Sequence, residues 1–149
     1  MAVYKRGTAD NSVNHFPKKF VTLYASAACT AGYFVSIDGG DTTNGLGASC
    51  RNAELGGTNQ GNALTFGVAT QTVAAGENVI VQIAGKYENA YVNGSCDENL
   101  PMTGPIAGAT VGMASMLAET TFGAVIAVGL EADSTNLADV MIVNQGFFD

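Results

Sequence analysis

The amino-acid sequence predicts an all-β protein: a single compact β-barrel or β-sandwich domain with long loops rich in Gly and Asn, preceded by an extended N-terminal arm. Three observations support this fold class. The apolar runs are short, rich in Val and Ile, and bounded by Gly, Asn or Asp, as strands usually are. Residues 79–84 alternate with the period of two of a half-buried strand. Charged residues make up only 13% of the chain and glycines number 19, which is typical of β-proteins that turn often and of proteins that bury surface against other chains.

The first half of the domain contains two predicted strands and one long loop. Residues 20–24 are rich in β-forming side chains and are the first predicted strand, and residues 33–37 are the second. Residues 38–41 contain two glycines that can adopt positive φ, which predicts a turn. Residues 42–62 contain five glycines and four asparagines with almost no periodicity, so we expect a long loop, with one helical turn possible at residues 48–54. A loop of this length in a small domain is usually functional or ordered by a partner.

The most regular segment, residues 67–85, predicts a β-hairpin with its turn at residues 74–78. The second strand of this hairpin places one row of side chains on the core face and continues through residues 86–92. The pair Asn93-Gly94 that follows is the one that type I′ hairpin turns prefer. The predicted core-facing row consists of Val79, Val81 and Ile83.

The C-terminal third predicts a second hairpin that weakly repeats the first. Residues 97–108 carry two prolines and are expected to form a loop. Residues 111–117 fit either a strand or a short buried helix, and Gly112 favours the strand because glycine breaks helices. Residues 125–131 and 139–146 are the last two predicted strands. The two hairpins share opening and closing glycines and an acidic residue just before the second strand: Gly67, Gly85 and Glu77 in the first, Gly129, Gly146 and Asp139 in the second.

The net charge of −7 is unevenly distributed along the chain. The predicted arm, residues 1–19, contains four basic and one acidic side chain, a charge of +3; the predicted domain, residues 20–149, contains two basic and twelve acidic side chains, a charge of −10. Because phosphate binding needs a concentrated basic face, the acidic domain argues against nucleic acid or an anionic membrane as the main partner. No apolar run approaches the roughly 20 residues needed to span a bilayer.

The two ends of the chain carry the residues that we expect at interfaces with other proteins. The arm combines apolar anchors with basic side chains but has no periodicity for a core element, which predicts a segment that becomes ordered on a partner. Taken alone, residues 1–14 also fit a solvated terminus. Two adjacent phenylalanines near the C-terminus are expected to dock against another surface. The predicted interface residues are Tyr4, Lys5, Arg6, His15, Phe16, Pro17, Lys18, Lys19, Phe147 and Phe148.

The sequence offers little catalytic chemistry, and we expect neither enzymatic activity nor a cofactor. His15 is the only histidine, which excludes a His-based triad or a multi-histidine metal site within one chain. The sequence contains neither a Gly-x-Ser-x-Gly elbow nor a phosphate-binding loop. A glycosidase pair drawn from Asp97, Glu98 and Glu119 stays an alternative, although the chain has no Trp to stack on a sugar.

Two groups of oxygen-bearing side chains could hold a hard cation. Turn capping explains the same residues, and we favour capping, so the sequence assigns no metal site. The two groups are Asp38, Asp41 and Asn44, and Glu131 with Asp133. The three cysteines lack Cys-x-x-Cys spacing and are expected to be reduced, partly buried thiols. They are Cys29, Cys50 and Cys96.

Four short patterns together resemble the head decoration (cement) proteins of tailed bacteriophages: Gly-Val-Ala at residues 67–69, Ala-Gly-Glu-x-Val-x-Val-x-Ile-x-Gly at residues 75–85, Ala-Val-Gly-Leu-Glu-Ala at residues 127–132, and Val-Met-Ile-Val at residues 140–143. The resemblance covers roughly residues 35–146. It implies a compact β-barrel or sandwich that forms homotrimers on the outside of an icosahedral head and clamps neighbouring major capsid proteins. Such a protein would be made in the host cytoplasm and would reside on the outer surface of the virion.

Two other function classes stay open at this point. A phage tail or fibre module that binds a host receptor would share the β-rich, Gly-rich composition, and it would bind cells when isolated, whereas a cement protein would bind heads. A polysaccharide-cleaving enzyme is the third class, and its activity would have to disappear when a carboxylate pair is mutated.

Overall fold

The computed structural model describes residues 17–41, 49–57, 64–94, 96–117 and 123–143. These residues contain nine strands and no helix, so the predicted all-β fold class is confirmed. The strands are β1 (Lys19–Ala25), β2 (Phe34–Ile37), β3 (Ser49–Asn52), β4 (Thr65–Ala69), β5 (Asn78–Tyr91), β6 (Pro101–Thr103), β7 (Ser115–Met116), β8 (Ala127–Gly129) and β9 (Leu137–Ile142).

Five of the strands close into a barrel. Their order is β1-β3-β2-β4-β5, and β1 also pairs with β5, which completes the ring. β1 runs parallel to β3, and every other neighbouring pair in the ring is antiparallel. The pairing of β1 with β5 extends from Lys19 opposite Ala84 to Tyr24 opposite Asn78. Because side chains alternate along each strand, those of the ring point in turn to the barrel interior and to its outer surface.

The other four strands extend from the second half of β5 as a sheet in the order β5-β9-β8-β6-β7. An isolated parallel bridge between Val92 and Ala114 then returns the far end of this sheet to β5. In this bridge the amide of Asn93 donates to the carbonyl of Ala114 at 2.8 Å, and the amide of Ala114 donates to the carbonyl of Tyr91 at 3.2 Å. The second sheet is therefore almost closed as well, and β5 belongs to both closures.

β5 passes from the barrel into the second sheet through a bend stabilised by Gln82. The backbone at Gly85 has a φ of +89°, which favours glycine. The buried amide of Gln82 donates to the carbonyls of Ala84, Gly85 and Lys86 at 3.1, 3.2 and 2.9 Å. These carbonyls lie at the bend, where the strand leaves its first partners for β9. The side chain thus gives the carbonyls at the bend a hydrogen-bond donor inside the protein.

Two buried clusters fill the space on either side of the barrel wall. Adjacent residues of β2 and of β4 belong to different clusters. Phe34 and Val68 point outward to the second sheet, whereas Val35 and Ala69 point into the barrel. The barrel core contains Ala25, Cys29, Val35, Cys50, Ala69, Val73, Val79 and Val81. The second core contains Phe34, Ala53, Val68, Ala90, Val92, Cys96, Met102, Ala114, Ile126, Ala127, Ala138, Val140 and Ile142.

The structure confirms the central hairpin predicted from the sequence. β4 and β5 are antiparallel, with Val68 opposite Gln82. Val79 and Val81 are fully buried, and Ile83 is half-buried against the barrel core, as the predicted core-facing row requires. Continuation of the second strand beyond Gly85 is also confirmed, because β5 extends to Tyr91, with a register shift between Tyr87 and Ala90.

Three segments differ from their sequence prediction. Residues 48–54 include strand β3, not a helical turn, because pairing with β1 on one side and β2 on the other holds this polar segment extended. The predicted loop at residues 97–108 contains β6, which begins at Pro101, a first strand position where the missing amide hydrogen is tolerated. Within residues 111–117 only β7 is a strand, since Gly112 lies in a turn with φ +79°.

Two predicted turns differ from their sequence prediction. Gly39 and Gly40 do not have positive φ; instead, the Asp38 carboxylate accepts a hydrogen bond from the Gly40 amide at 3.0 Å. After β5, Gly94 has positive φ but Asn93 does not, so the type I′ turn is absent. The chain makes no hairpin at this point, because the second half of β5 pairs with β9.

The predicted internal repeat corresponds to two antiparallel hairpins, β4 with β5 and β8 with β9. Their opening glycines share a physical role. A Cβ atom added at Gly67 would lie 2.6 Å from the carbonyl oxygen of Gln82, and one added at Gly129 would overlap the carbonyl oxygen of Asp97. The repeat is imperfect, because Asp139 lies inside β9 and does not precede it. The closing glycine of the second copy, Gly146, lies outside the described residues.

Candidate interaction surface

Three of the ten predicted interface residues fall within the described part of the chain. Pro17 and Lys18 precede the first strand, and Lys19 is its first residue, so the strand begins one residue inside the predicted arm. All three residues are exposed. The other seven, Tyr4, Lys5, Arg6, His15, Phe16, Phe147 and Phe148, lie outside the described residues.

Directly after these lysines, β1 and β5 present an exposed apolar strip on the outside of the barrel. We call it the β1–β5 face and define it by Phe20, Thr22 and Ile80. Thr22 is the direct cross-strand neighbour of Ile80, and Phe20 lies diagonally from Ile80 across the pair, within reach of an aromatic side chain. Phe20 is 52% exposed and Ile80 is 40% exposed. Large apolar side chains on the open surface of a sheet are typical of contact sites.

Strand alternation explains why this face is apolar and open at the same time. The side chains between its members, Val21 and Leu23 on β1 and Val79 and Val81 on β5, belong to the barrel core. The outward side chains Phe34 on β2 and Val68 on β4 are covered by the second core, whereas Phe20, Thr22 and Ile80 are exposed. Four further exposed large apolar residues of the described chain, Leu55, Leu64, Val111 and Leu130, all lie outside strands.

Among the described residues, every basic side chain forms an ion pair except the two lysines at the start of β1. Arg51 forms ion pairs with Glu54 at 3.0 Å and with Asp38 at 3.9 Å. Lys86 forms ion pairs with Asp139 at 2.7 Å and with Glu88 at 3.6 Å. Within the described ranges, Lys18 and Lys19 form no ion pair, so the basic groups left available for another molecule are those beside Phe20.

The ion pair between Lys86 and Asp139 shifts the pKa of both groups. The hydrogen bond from Lys86 holds the pKa of Asp139 below its ordinary value, and the amide of Asn89 adds to this effect by donating to the same carboxylate. The pKa of Lys86 is raised in turn by the hydrogen bond to Asp139. Because Asp139 lies on β9 and Lys86 on β5, this pair stabilises the junction between the bend of β5 and the second sheet.

Asp38, one of the cation candidates, has a structural role. Its carboxylate accepts hydrogen bonds from the Ser26 hydroxyl at 2.6 Å and from the Gly40 amide at 3.0 Å. The bond from Ser26 is the main reason that the pKa of Asp38 is lowered. In the other candidate group, Glu131 accepts from the amide of Asp139 at 3.1 Å. Over the described ranges, no cluster of three or more His, Cys, Asp or Glu side chains has the arrangement of a metal site. Asn44 lies outside those ranges.

The three thiols are all free and buried. Cys29 and Cys50 lie in the barrel core, and Cys96 lies in the second core, 3.7 Å from the sulfur of Met102. The sequence predicted partial burial, whereas the accessible fractions are 0% for Cys29, 0% for Cys50 and 3% for Cys96. In the same part of the chain, no helix is long and apolar enough to cross a membrane.

The two lysines could be predicted from the sequence, but the apolar face beside them could not. The alternation of residues 79–84 placed Ile80 opposite the core row, which is a usable signal for its exposure. Phe20 gave no comparable signal, because the side of β1 that faces outward is set by its register with β5. A one-residue shift of that register would exchange the two faces.

Comparison with known structures agrees with the β-fold. The head fiber gp8.5 N base of bacteriophage phi29 aligns with 86% of this chain and 96% of its own length, with a TM-score of 0.54 and 14% sequence identity. At this level of identity the likeness establishes a shared fold. No protein-family model and no curated protein sequence matches the chain.

Proposed function

We propose that this protein is a structural component of a tailed-phage virion, located on the outer surface of the head, where it binds major capsid proteins and stabilises the contacts between them. The observation that carries the proposal is the exposed pair Lys18 and Lys19 at the start of β1, through which the predicted basic arm joins an acidic domain. The shared fold with a base of a phage head fiber supports a location on the head. The resemblance of residues 67–85 to head decoration proteins supports the cement role.

In this proposal the N-terminal arm attaches the protein to the capsid. The arm carries the basic residues Lys5 and Arg6 and leads into Lys18 and Lys19, while the domain is strongly acidic. Charge of this kind mainly speeds and orients docking, whereas aromatic anchors such as Phe16 hold the docked segment in place. Ordering a segment on binding costs about 1–2 kcal/mol per residue fixed, so both kinds of contact are needed.

The β1–β5 face is proposed to pack against a second copy of the chain, as part of a homotrimer. The face carries no charged side chain, which suits the core of an interface between identical subunits. A three-fold ring requires two different complementary patches on each subunit. The second patch is proposed to include the Phe147-Phe148 tail, which the composition predicts to be docked.

We propose a role without catalysis. Of the three carboxylates considered for a glycosidase pair, Asp97 and Glu98 are exposed neighbours in a turn, and Asp97 accepts a hydrogen bond from the amide of Glu98 at 2.8 Å. This contact is a turn cap of the kind that Asp side chains commonly form. The third, Glu119, lies outside the described residues.

The experiment that tests the proposal mixes purified protein with phage heads that lack decoration and asks whether the two co-sediment. The proposal expects saturable binding to heads and none to intact host cells. Binding to cells without binding to heads would contradict it.

A second candidate is a fibre module that binds a host receptor. The observation in its favour is that the structure sharing this fold is a fiber base and not a cement protein. The same mixing experiment separates the two candidates, because a receptor-binding module would pellet with cells.

A further inference from the structure

Two cysteines that are far apart in sequence, Cys29 and Cys50, are buried in the same core inside the barrel. Cys50 lies in β3 between β1 and β2, opposite Ala25 on one side and Ile37 on the other. Cys29 lies in the connection from β1 to β2, and its backbone forms two hydrogen bonds with Val73, at 3.0 and 2.9 Å. Both cysteines belong to the barrel core and are inaccessible to solvent.

The connection that carries Cys29 runs alongside β3. At one end, the amide of Ser26 donates to the carbonyl of Cys50 at 3.0 Å. At the other end, the amide of Thr30 donates to the side chain of Asn52 at 3.1 Å. Cys29 is therefore held between two points of attachment to the same strand, and it shares the buried barrel core with Cys50.

We propose that Cys29 and Cys50 form an intramolecular disulfide in oxidising surroundings, while Cys96 stays a thiol. The inference does not depend on the proposed function, since it concerns only the interior of the barrel. Cys96 has no such neighbour, because its sulfur contacts Met102 and the carbonyl of Glu131 in the other core.

The chemistry requires an external oxidant, for which a small disulfide such as oxidised glutathione suffices. The thiolate of Cys29 attacks one sulfur of that disulfide and releases one thiolate, and Cys50, after losing its proton, displaces the second. Two cysteine thiols thus lose two protons and two electrons, and the small disulfide is reduced to two thiols. The hydrogen bond from Cys50 lowers the pKa of Cys29 and raises that of Cys50, which makes Cys29 the first nucleophile.

An oxidant reaches Cys29 and Cys50 when the connection between β1 and β2 opens locally. Ala27 and Ala28, next to Cys29, are exposed, so local opening of this short segment uncovers the sulfur without unfolding the barrel. Once formed, the bond would join the connection to β3 and restrict the unfolded chain between residues 29 and 50. A loop of this size is expected to raise the melting temperature by roughly 6–12 °C.

The test counts thiols in the full-length protein before and after incubation with excess oxidised glutathione, at 25 °C and again a few degrees below the melting temperature, where local opening is frequent. We expect a fall from three free thiols to one, a peptide map that joins residues 29 and 50, and a higher melting temperature that dithiothreitol reverses. Cys96→Ser should behave in the same way and end with no free thiol.

Three results would overturn the inference: three free thiols after both incubations, a bond that includes Cys96, or crosslinks between chains in place of the internal bond. Each outcome is read from the natural sequence, so the conclusion does not require that Cys29→Ser or Cys50→Ser fold.

Discussion

The strand pattern places the polar side chain of Gln82 on the outer face of β5. In the structure this side chain is buried. Its burial is compatible with a stable fold because one amide group serves three carbonyls at the bend. Asp139 is a second such residue, since it lies within a strand but is only partly exposed and pairs with Lys86. Both residues stabilise the region where the barrel continues into the second sheet.

Replacing Gln82 by Met keeps the volume of the side chain but removes its hydrogen-bond donors. Three carbonyls at the bend then lose a hydrogen bond, and we expect the free energy of unfolding to fall by about 1–3 kcal/mol. Urea unfolding at neutral pH measures the change. Gln71→Met is the matched control, because Gln71 makes one exposed hydrogen bond, to the carbonyl of Asn78 at 3.2 Å, and should be nearly neutral. Equal effects of the two substitutions would contradict this role of Gln82.

Because the pKa of Asp139 is lowered in the folded protein, we expect the stability of the protein to depend on pH. Its pKa in the folded protein lies below its ordinary value of 3.8, so the ionised carboxylate stabilises the fold above about pH 4. That contribution is lost as the pH falls through the folded-state pKa. We therefore expect Asp139→Asn to be less stable than the natural sequence at pH 7, and the difference to shrink at pH 2–3 in urea unfolding. A difference that is the same at both pH values would contradict the ion pair with Lys86.

The sequence predicts the strands whose apolar residues alternate strongly. It does not predict the strands whose extended form depends on hydrogen bonds to neighbouring strands. β5 and its core-facing row followed from Val79, Val81 and Ile83 alone. β3 contains only Ser, Cys, Arg and Asn, so nothing local marks it as a strand, and its extended form comes from hydrogen bonds to β1 and β2. The candidate surface could not be predicted for the same reason, because the register of β1 with β5 decides whether Phe20 faces outward.

Gly67 tests the packing between β4 and β5. An added Cβ would lie 2.6 Å from the carbonyl of Gln82 and 2.7 Å from the side chain of Val81, so Gly67→Ala must push the two strands apart. We expect a loss of roughly 1–3 kcal/mol or more in the free energy of unfolding, measured by urea unfolding. Gly39→Ala is the control, since that position has open space and no positive φ. Equal stability of the two variants would show that β4 and β5 are not packed as described.

At the scale of the whole molecule, the proposed function assigns attachment to the basic arm and contact between subunits to the uncharged apolar face of the barrel. Phe20→Ser should leave the fold intact, because the side chain is 52% exposed, but should weaken self-association. Multi-angle light scattering over a concentration series, with protein alone and bound to heads, measures this. Val111→Ser, at a turn position that is 42% exposed, is the matched control. A protein that is monomeric in both states, or is equally associated in both variants, would contradict the proposed subunit contact.

Attachment to heads is expected to depend on the arm in two distinguishable ways. Deleting residues 1–14 should leave the melting temperature unchanged and weaken binding to heads by about tenfold or more, which corresponds to roughly 1.4 kcal/mol or more. Replacing Lys5 and Arg6 by Ser should cause a smaller loss that fades as salt rises, because exposed charges are screened beyond about 10 Å at 0.1 M ionic strength. A truncated protein that unfolds would show that the arm is part of the folded domain.

The most direct test of the central claim is a binding isotherm of the full-length protein on undecorated phage heads, measured by co-sedimentation. We expect saturable binding at a fixed number of copies per head, reduced when residues 1–14 are removed and unaffected by Val111→Ser. Failure of the full-length protein to pellet with heads above the level of an unrelated acidic protein would contradict it.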